Sequence, residues 1–481
     1  MMHPLSRRIS DVLALEPSAR AIQFDGQWSS WGQVGTLAHR IRDQVGTASA
    51  GMMLRNTPTH VAALLGVLAG GGTVVVINPS RGDDRTRADI AALGVPILIG
   101  ATDDLAALAP QTSATTVALG GLDDAPHVNA GTAAAREDRS GVAVRMLTSG
   151  TTGPPKRVDL SYEMLARSVM GRDPAAAPAP TGLRRGVAIV NSPLVHIGGV
   201  FRILLCVAEA RPFVLLPKFD LARWADAVRE HRPGAVSLVP AALRMVLHSD
   251  LTREDLTGIK VVTSGTAPLS ADDADAFTEK FGIPVLTSYA ATEFGGGVAS
   301  WTLADHQQYW RDKRGSVGRA NHGARLRVVD DDRNPVPAGQ PGLLEVIPTQ
   351  LAETGEWMQT TDLARIDEDG FLWILGRADQ AIIRGGFKVM PDDVKSALES
   401  HPAVAGAAVV GLPDPRLGET PAALVELRPG QSATPQELTD HLQTRLARYE
   451  IPTALVLTDA IPRTPSGKPD LTAVRSHFAQ P

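Results

Sequence analysis

Short apolar runs, each followed by a longer segment at helical spacing, constrain this chain more than any other feature. VAALLGVLAGGGTVVVINP reads as a helix, a glycine stop, a buried strand and a turn. GVAIVN then GGVFRILLCVAEA reads as strand and helix. RPFVLLP, LARWADAVREH, AVSLVP and AALRMVLHS continue the alternation, and IKVVTSG with SADDADAFTEKFG repeats it. A chain patterned this way builds βα units, with parallel sheets covered by helices.

The texture changes after about Arg314. ARLRVVDDDRNPVPAGQPGLLEVI and DLARIDEDGFLWILGR are paired strands around Gly, Asp and Pro turns, which implies a small antiparallel subdomain. Beyond Arg377 lies a stretch of roughly a hundred residues with its own mixed pattern, a common small-domain size. One helix is well marked there, in TPQELTDHLQTRLARYEIP. Thr434 suits the N-cap, Pro435 the first helical position, and Glu437 closes a capping box. The expected fold is α/β. A large N-terminal domain (1–377) of βα-type sheets carries a small antiparallel β subdomain, and a small α+β C-terminal domain (378–481) follows.

The chain has 481 residues, enough for two or three cores, and 43% of them are hydrophobic, so burial is not limiting. Its net charge of −5 is spread along the length without a Lys/Arg tract, so no nucleic-acid groove or anionic membrane surface is expected. The single cysteine, Cys206, lies in an apolar stretch and reads as core filler. MMHPLSRRISDVLALEPSAR lacks the uninterrupted apolar block of a secretory signal. The oiliest stretches, 61–77 and 187–216, are interrupted by glycines or charges, so no transmembrane segment is expected. The expected location is cytoplasmic. PAAAPAPTG at 174–182 reads as a surface loop, and no internal repeat is present.

The segment VAVRMLTSGTTGPPKRVDLS carries the most chemistry. A strand runs into TSGTTGPPK and an extended pattern resumes after it. Thr148, Ser149, Gly150, Thr151, Thr152 and Gly153 crowd small residues and hydroxyls together, and Lys156 adds a charge. Glycines let backbone N–H groups approach an anion, and hydroxyls donate further. Such a loop is either a polar surface turn or a phosphate cradle. It is not a Walker loop, because the spacing fails and Arg157 follows the lysine.

TSGTTGPPK resembles the signature loop of the adenylate-forming superfamily, which includes acyl-CoA synthetases, peptide-synthetase adenylation domains and firefly luciferase. Further motifs match in the family's order along most of the chain. SGTAPL (264–269) resembles the adenine-binding turn, which implies that Gly265, Thr266 and Ala267 lie against the base. SYAATEFGG (288–296) resembles Y-G-x-T-E: by that match Tyr289 stacks on adenine, Thr292 contacts the α-phosphate and Glu293 ligates Mg²⁺. Ala290 stands where the family usually has glycine, a departure that bears on the acyl pocket. TTDLARIDEDGFLWILGRADQ implies that Asp362 holds the ribose hydroxyls with help from Arg377, and that Asp379 is the hinge of a mobile C-terminal domain.

IIRGGFKVMPDDVKSALESHPAV resembles the small-domain segment that swings in for the second half-reaction. Gly385 and Gly386 would let the pantetheine arm of coenzyme A pass, while also suiting a plain hairpin turn; Asp393 stands where the family has Glu. IPRTPSGKPDL places Lys468 as the adenylation lysine. The implied reaction joins a carboxylic acid to AMP at the expense of ATP, then transfers the acyl group to a thiol. The implied catalytic set is Lys468, Glu293, Thr292 and His196. His196, in NSPLVHIGG, is either a gate between the ATP and acyl sites or a structural residue at a helix start. With Gly198, Gly199, Gly265 and Ala290 it would line the acyl pocket. NSPLVHIGG lacks the acidic residue that amino-acid-activating relatives use, which argues for a plain carboxylic acid, whether fatty, aromatic or polycyclic. The branch expected is a fatty-acid or aryl-CoA ligase. No phosphopantetheine site follows Lys468, so coenzyme A is the expected acceptor and a separate carrier protein the alternative. A catalytically degenerate nucleotide-binding regulator is a further alternative, which the intact Lys468, Glu293, Asp362 and hydroxyl loop oppose.

Overall fold

The computed structural model describes residues 2–80, 82–134, 140–148, 156–351, 355–384, 387–464 and 467–478. Local sequence sets local structure with little ambiguity at the helix Pro58–Ala69. Thr57 accepts from the His60 N–H as N-cap, Pro58 takes the first helical position, and Gly70 ends it. The strand Thr73–Ile77 follows, and all five of its residues are buried, as in a strand covered on both faces.

That strand lies within a seven-stranded sheet ordered 127–129, 115–119, 97–101, 49–53, 73–77, 142–148, 156–161. The inner strands run parallel and the two edges antiparallel. A second sheet orders 235–237, 261–264 and 285–291 in parallel, then adds 296–300 and 319–320 antiparallel. A four-stranded sheet joins the N-terminal hairpin (20–24, 27–30) to strands 213–215 and 188–190. Helices cover these sheets, and Trp31, Trp224, Phe213, Phe277 and Phe281 fill the interior completely buried.

The expected antiparallel subdomain is present as strands 325–329, 342–347, 358–366 and 372–377. After Arg377 a smaller α+β domain follows, with a sheet ordered 387–389, 382–384, 418–427 and 404–414 and strand 454–458 parallel to 418–427. Its helix Pro435–Gln443 has the Thr434/Glu437 capping box, although it stops at Gln443 short of the whole TPQELTDHLQTRLARYEIP pattern. No helix among the described residues is long and apolar enough to cross a membrane.

Candidate active site

The candidate residues gather where the second sheet ends. Strand Val261–Ser264 runs parallel between its neighbours, and Gly265, Thr266 and Ala267 follow at its carboxyl end, the usual ligand edge of such sheets. Thr266 has φ 72°, a conformation that disfavours a β-branched side chain and is commonly retained at functional sites. Gly265 packs against the next strand: a Cβ there would lie 2.7 Å from Ser288 Oγ.

Strand Val285–Ala291 carries Tyr289 and Ala290 and breaks register between them, with Tyr289 opposite Ala299 but Ala290 opposite Gly297. Such a bulge re-aims side chains. A short 3-10 turn, Thr292–Phe294, then presents Thr292 and an exposed Glu293. The Tyr289 hydroxyl donates to Asp362 Oδ2, so the residues expected at the base and at the ribose adjoin each other. Burial, then the Asp362 charge, pushes the phenol well above its ordinary value. Burial also raises the Asp362 carboxyl, against the Tyr289 hydrogen bond and the charges of Arg377 and Lys468.

Asp362 stands directly opposite Arg377 in the antiparallel pair 358–366/372–377. Arg377 makes a bidentate bond to Asp379, 2.9 and 2.5 Å, across the short 3-10 turn Ala378–Gln380 that leads into the smaller domain. Lys468 returns from that domain. It sits on a tight turn in which Thr464 N–H donates to the Lys468 carbonyl at 2.7 Å and Arg463 bridges to Pro469. The Lys468 side chain is exposed, yet desolvation by the protein around it lowers its ammonium from the ordinary value and Arg377 lowers it further, while Asp362 and Glu293 oppose both. Lys468, Asp362, Arg377 and Glu293 therefore share one electrostatic site although they lie far apart in sequence.

The hydroxyl loop is a hairpin connection. Strands Val142–Thr148 and Lys156–Ser161 pair antiparallel, with Thr148 opposite Lys156. Ser149, Gly150, Thr151, Thr152 and Gly153 lie outside the described residues, as do Gly385 and Gly386. Lys156 is exposed, whereas Arg157 is a structural tie that donates to the Val76 carbonyl and to Asp89.

His196 is the N-cap residue of the helix Ile197–Ala208, but its side chain does not cap the helix N–H groups. Gly198 faces open space, while a Cβ on Gly199 would lie 2.2 Å from the Pro193 carbonyl oxygen, so packing alone accounts for Gly199. Sequence reasoning passed over Asn56. This buried residue accepts from Leu194 N–H and donates to the Ser192 and Leu216 carbonyls, fixing the loop before His196. It passed over Arg202 as well, which hydrogen-bonds to Thr263. A charged residue inside an apolar segment was the available signal for Arg202, whereas Asn56, between Arg55 and Thr57, gave none.

Comparison with known proteins agrees with this fold. The model of the AMP-binding enzyme family matches residues 10–353, and that of the AMP-binding enzyme C-terminal domain matches residues 393–468. The chain belongs to the AMP-binding enzyme family. Within it, the protein is 29% identical to 4-coumarate–CoA ligase 5 of Oryza sativa, over 92% of this chain and 88% of the relative. It is also 29% identical to the sulfoacetate–CoA ligase of Cupriavidus necator, over 90% and 84%. Among solved structures, ATP-bound MatB from Rhodopseudomonas palustris superposes with a TM-score of 0.82 at 25% identity, over 99% of both chains.

Proposed function

We propose that this AMP-binding enzyme is an AMP-forming acid–thiol ligase that uses ATP to make an acyl-adenylate and passes the acyl group to coenzyme A. The observation that carries this reading is the meeting of Lys468 from the smaller domain with Asp362, Arg377 and Glu293 of the larger one. In-line attack on an α-phosphate calls for a cation that offsets the developing negative charge and for groups that position the nucleotide, roles this reading gives to Lys468 and to Asp362.

In the first step a carboxylate oxygen of the acid bonds to the α-phosphorus and the bond to pyrophosphate breaks. Lys468 and the 148–156 loop offset the negative charge that develops, Thr292 orients the α-phosphate, and Asp362 with Arg377 holds the ribose. Gly265, Thr266, Ala267 and Tyr289 line the base. In the second step the thiolate sulfur bonds to the acyl carbon, AMP leaves with the electron pair, and the thiol proton goes to solvent. No cysteine nucleophile takes part: the thiol of Cys206, the only cysteine, is buried and pushed up to about 12.

Mg²⁺ fits this donor set as a nucleotide-borne ion. No cluster of three or more acidic, His or Cys residues among the described residues offers a protein cage, and Mg²⁺ commonly takes one or two carboxylates plus phosphates and water. Glu293 is the exposed carboxylate in position, and the ion would neutralise phosphate charge there. We assign residues 1–377 and 378–481 to the two domains, with Asp379 as the hinge between the half-reactions, Gly385 and Gly386 to the pantetheine passage, and His196 to the gate of the acyl pocket. Substrates such as ATP and coenzyme A go with a cytoplasmic location. The relatives named above act on an aromatic and on a sulfonated acid, by their names, so relatedness alone leaves the acid open.

The test is release of pyrophosphate and AMP from ATP and Mg²⁺ with a panel of acids, each with and without coenzyme A, beside Lys468→Ala. A thioester that forms only with coenzyme A, and is lost in the variant, is expected. An adenylate never passed to coenzyme A would instead favour a carrier protein as acceptor. ATP binding without turnover of any acid would favour a regulator.

A further inference from the structure

Arg202 stands on the helix that begins at His196, and its Nη2 donates to Thr263 Oγ1 at 3.1 Å. Thr263 is the last-but-one residue of the strand that leads into Gly265. In the parallel pair Thr263 lies opposite Leu286 and Ser264 opposite Thr287. Side chains alternate along a strand, so Thr263 and Gly265 share a face with Leu286 and Ser288. The close approach of a Gly265 Cβ to Ser288 Oγ agrees with that. The Arg202 guanidinium therefore sits against the face of the sheet that ends in Gly265, on the helix whose start carries His196. The residues assigned to the acyl pocket bracket it.

What this guanidinium lacks is an anion. Among the described residues Thr263 is its only hydrogen-bond partner, although a guanidinium carries five N–H donors. The nearest thiol, Cys206 one helical turn on, is protonated at neutral pH and offers no charge. Burial lowers Arg202 from its ordinary value. Structural arginines elsewhere in this chain are held by several partners: Arg157 and Arg244 meet carboxylates, Asp89 and Asp273, and the buried Arg8 donates to three backbone carbonyls, whereas Arg202 has the one hydroxyl. A desolvated cation without a counter-ion is costly, and a pocket for acids is a place where a ligand supplies one.

We infer that Arg202 binds a second anionic group on the substrate, so that the acid activated here is a short dicarboxylate or the corresponding sulfonated carboxylate. The inference rests on the ligase reading and on the helix 197–208 lining the acyl pocket. Two strand positions, about 7 Å, separate Thr263 from Gly265, so the two anionic groups lie only a few bonds apart. Bidentate acceptance from the guanidinium suits both carboxylate and sulfonate oxygens.

The experiment compares short dicarboxylic acids, sulfocarboxylic acids of the same chain lengths and matched monocarboxylic acids in ATP-dependent pyrophosphate release. Wild type is run beside Arg202→Met and Arg202→Lys, and each variant's ATP affinity reports whether it is folded. The expected result is a dianionic acid preferred over its monoanionic match, with kcat/KM falling at least a hundredfold in Arg202→Met and partly restored in Arg202→Lys. The dicarboxylate and sulfonate series decide which anion the site takes. Preference for a monocarboxylate, or loss of activity in Arg202→Met that is equal for both kinds of acid, overturns the inference and leaves the ligase reading standing. Turnover of no acid at all overturns both.

Discussion

Arg244, on the helix Pro240–Leu247 of the larger domain, donates at 2.9 Å to Glu399 at the end of helix Pro391–Glu399 in the smaller one. Asp273 holds the same guanidinium from its own domain at 2.7 Å. Both Arg244 and Glu399 are largely buried, so the pair ties the domains together in the arrangement that brings Lys468 to Asp362. Glu399→Gln removes the charge and keeps the shape. It is expected to weaken domain docking by on the order of 1–3 kcal/mol. Trypsin cleavage in the segment after Arg377 should then accelerate, and adenylate formation should slow more than thioester formation from a supplied adenylate. Unchanged proteolysis and an unchanged ratio of the two rates would show that the pair does not hold the domains.

Lys468 must be protonated to offset charge on the α-phosphate. Although the side chain is exposed, the protein around it and the Arg377 charge both hold its ionisation below the ordinary lysine value, so the alkaline limb of adenylate formation should fall closer to neutrality than a lysine in free solution would allow. Arg377→Met removes one of the two lowering influences. Besides weakening nucleotide binding, it should therefore move that limb to higher pH at saturating ATP. A limb that stays in place, or moves down, would show that another group sets it.

Much of this was legible because the signals are local. The βα alternation, the capping box at Thr434 and Glu437 and the extended segments on either side of the hydroxyl loop each depend on residues a few positions apart. Order along the chain carried the rest of the candidate site, since Tyr289, Asp362 and Lys468 were marked by motif and the fold brings them together. Long-range features were not legible. Asn56 reaches carbonyls 136 and 160 residues away, Arg202 reaches 61 residues, and Glu399 is 155 residues from Arg244. The N-terminal hairpin likewise joins a sheet with strands 188–190 and 213–215. Nothing near any of these residues in sequence names its partner, because the pairing is decided by how the sheets stack.

His60 links the fold's stability to pH. It is 2% exposed, and its Nδ1 lies 2.7 Å from the Thr57 hydroxyl. Burial drives its ionisation down from 6.5 to about 4, with Asp104 opposing and Arg55 assisting. Between those values the unfolded chain binds a proton that the folded chain refuses. Its contribution is therefore complete above pH 6.5 and lost as pH falls towards 4, a change of roughly 3 kcal/mol when fully expressed. Urea unfolding at pH 7 and pH 5 should show this loss, and His60→Gln should flatten the difference. An equal pH difference in the variant would assign the acid sensitivity elsewhere.

Two glycines assigned to the acyl pocket should respond differently to the same added methyl. At Gly199 the new Cβ meets backbone, 2.2 Å from the Pro193 oxygen and 2.5 Å from its carbonyl carbon. The loop that Asn56 fixes cannot give way cheaply, so Gly199→Ala should cost on the order of 2–4 kcal/mol and lower the melting temperature. At Gly265 the nearest atom is the Ser288 hydroxyl, 2.7 Å away, with the Ser288 carbonyl at 3.2 Å. A hydroxyl can rotate, so Gly265→Ala should fold nearly normally while raising KM for the acid or for ATP. Adding Ser288→Ala removes the closest contact and should recover part of that KM. Calorimetry of both single variants, with kinetics on Gly265→Ala and the double variant, separates the cases. If Gly199→Ala melts like the wild type, or if Ser288→Ala fails to help Gly265→Ala, then the packing described for that glycine is not what constrains it.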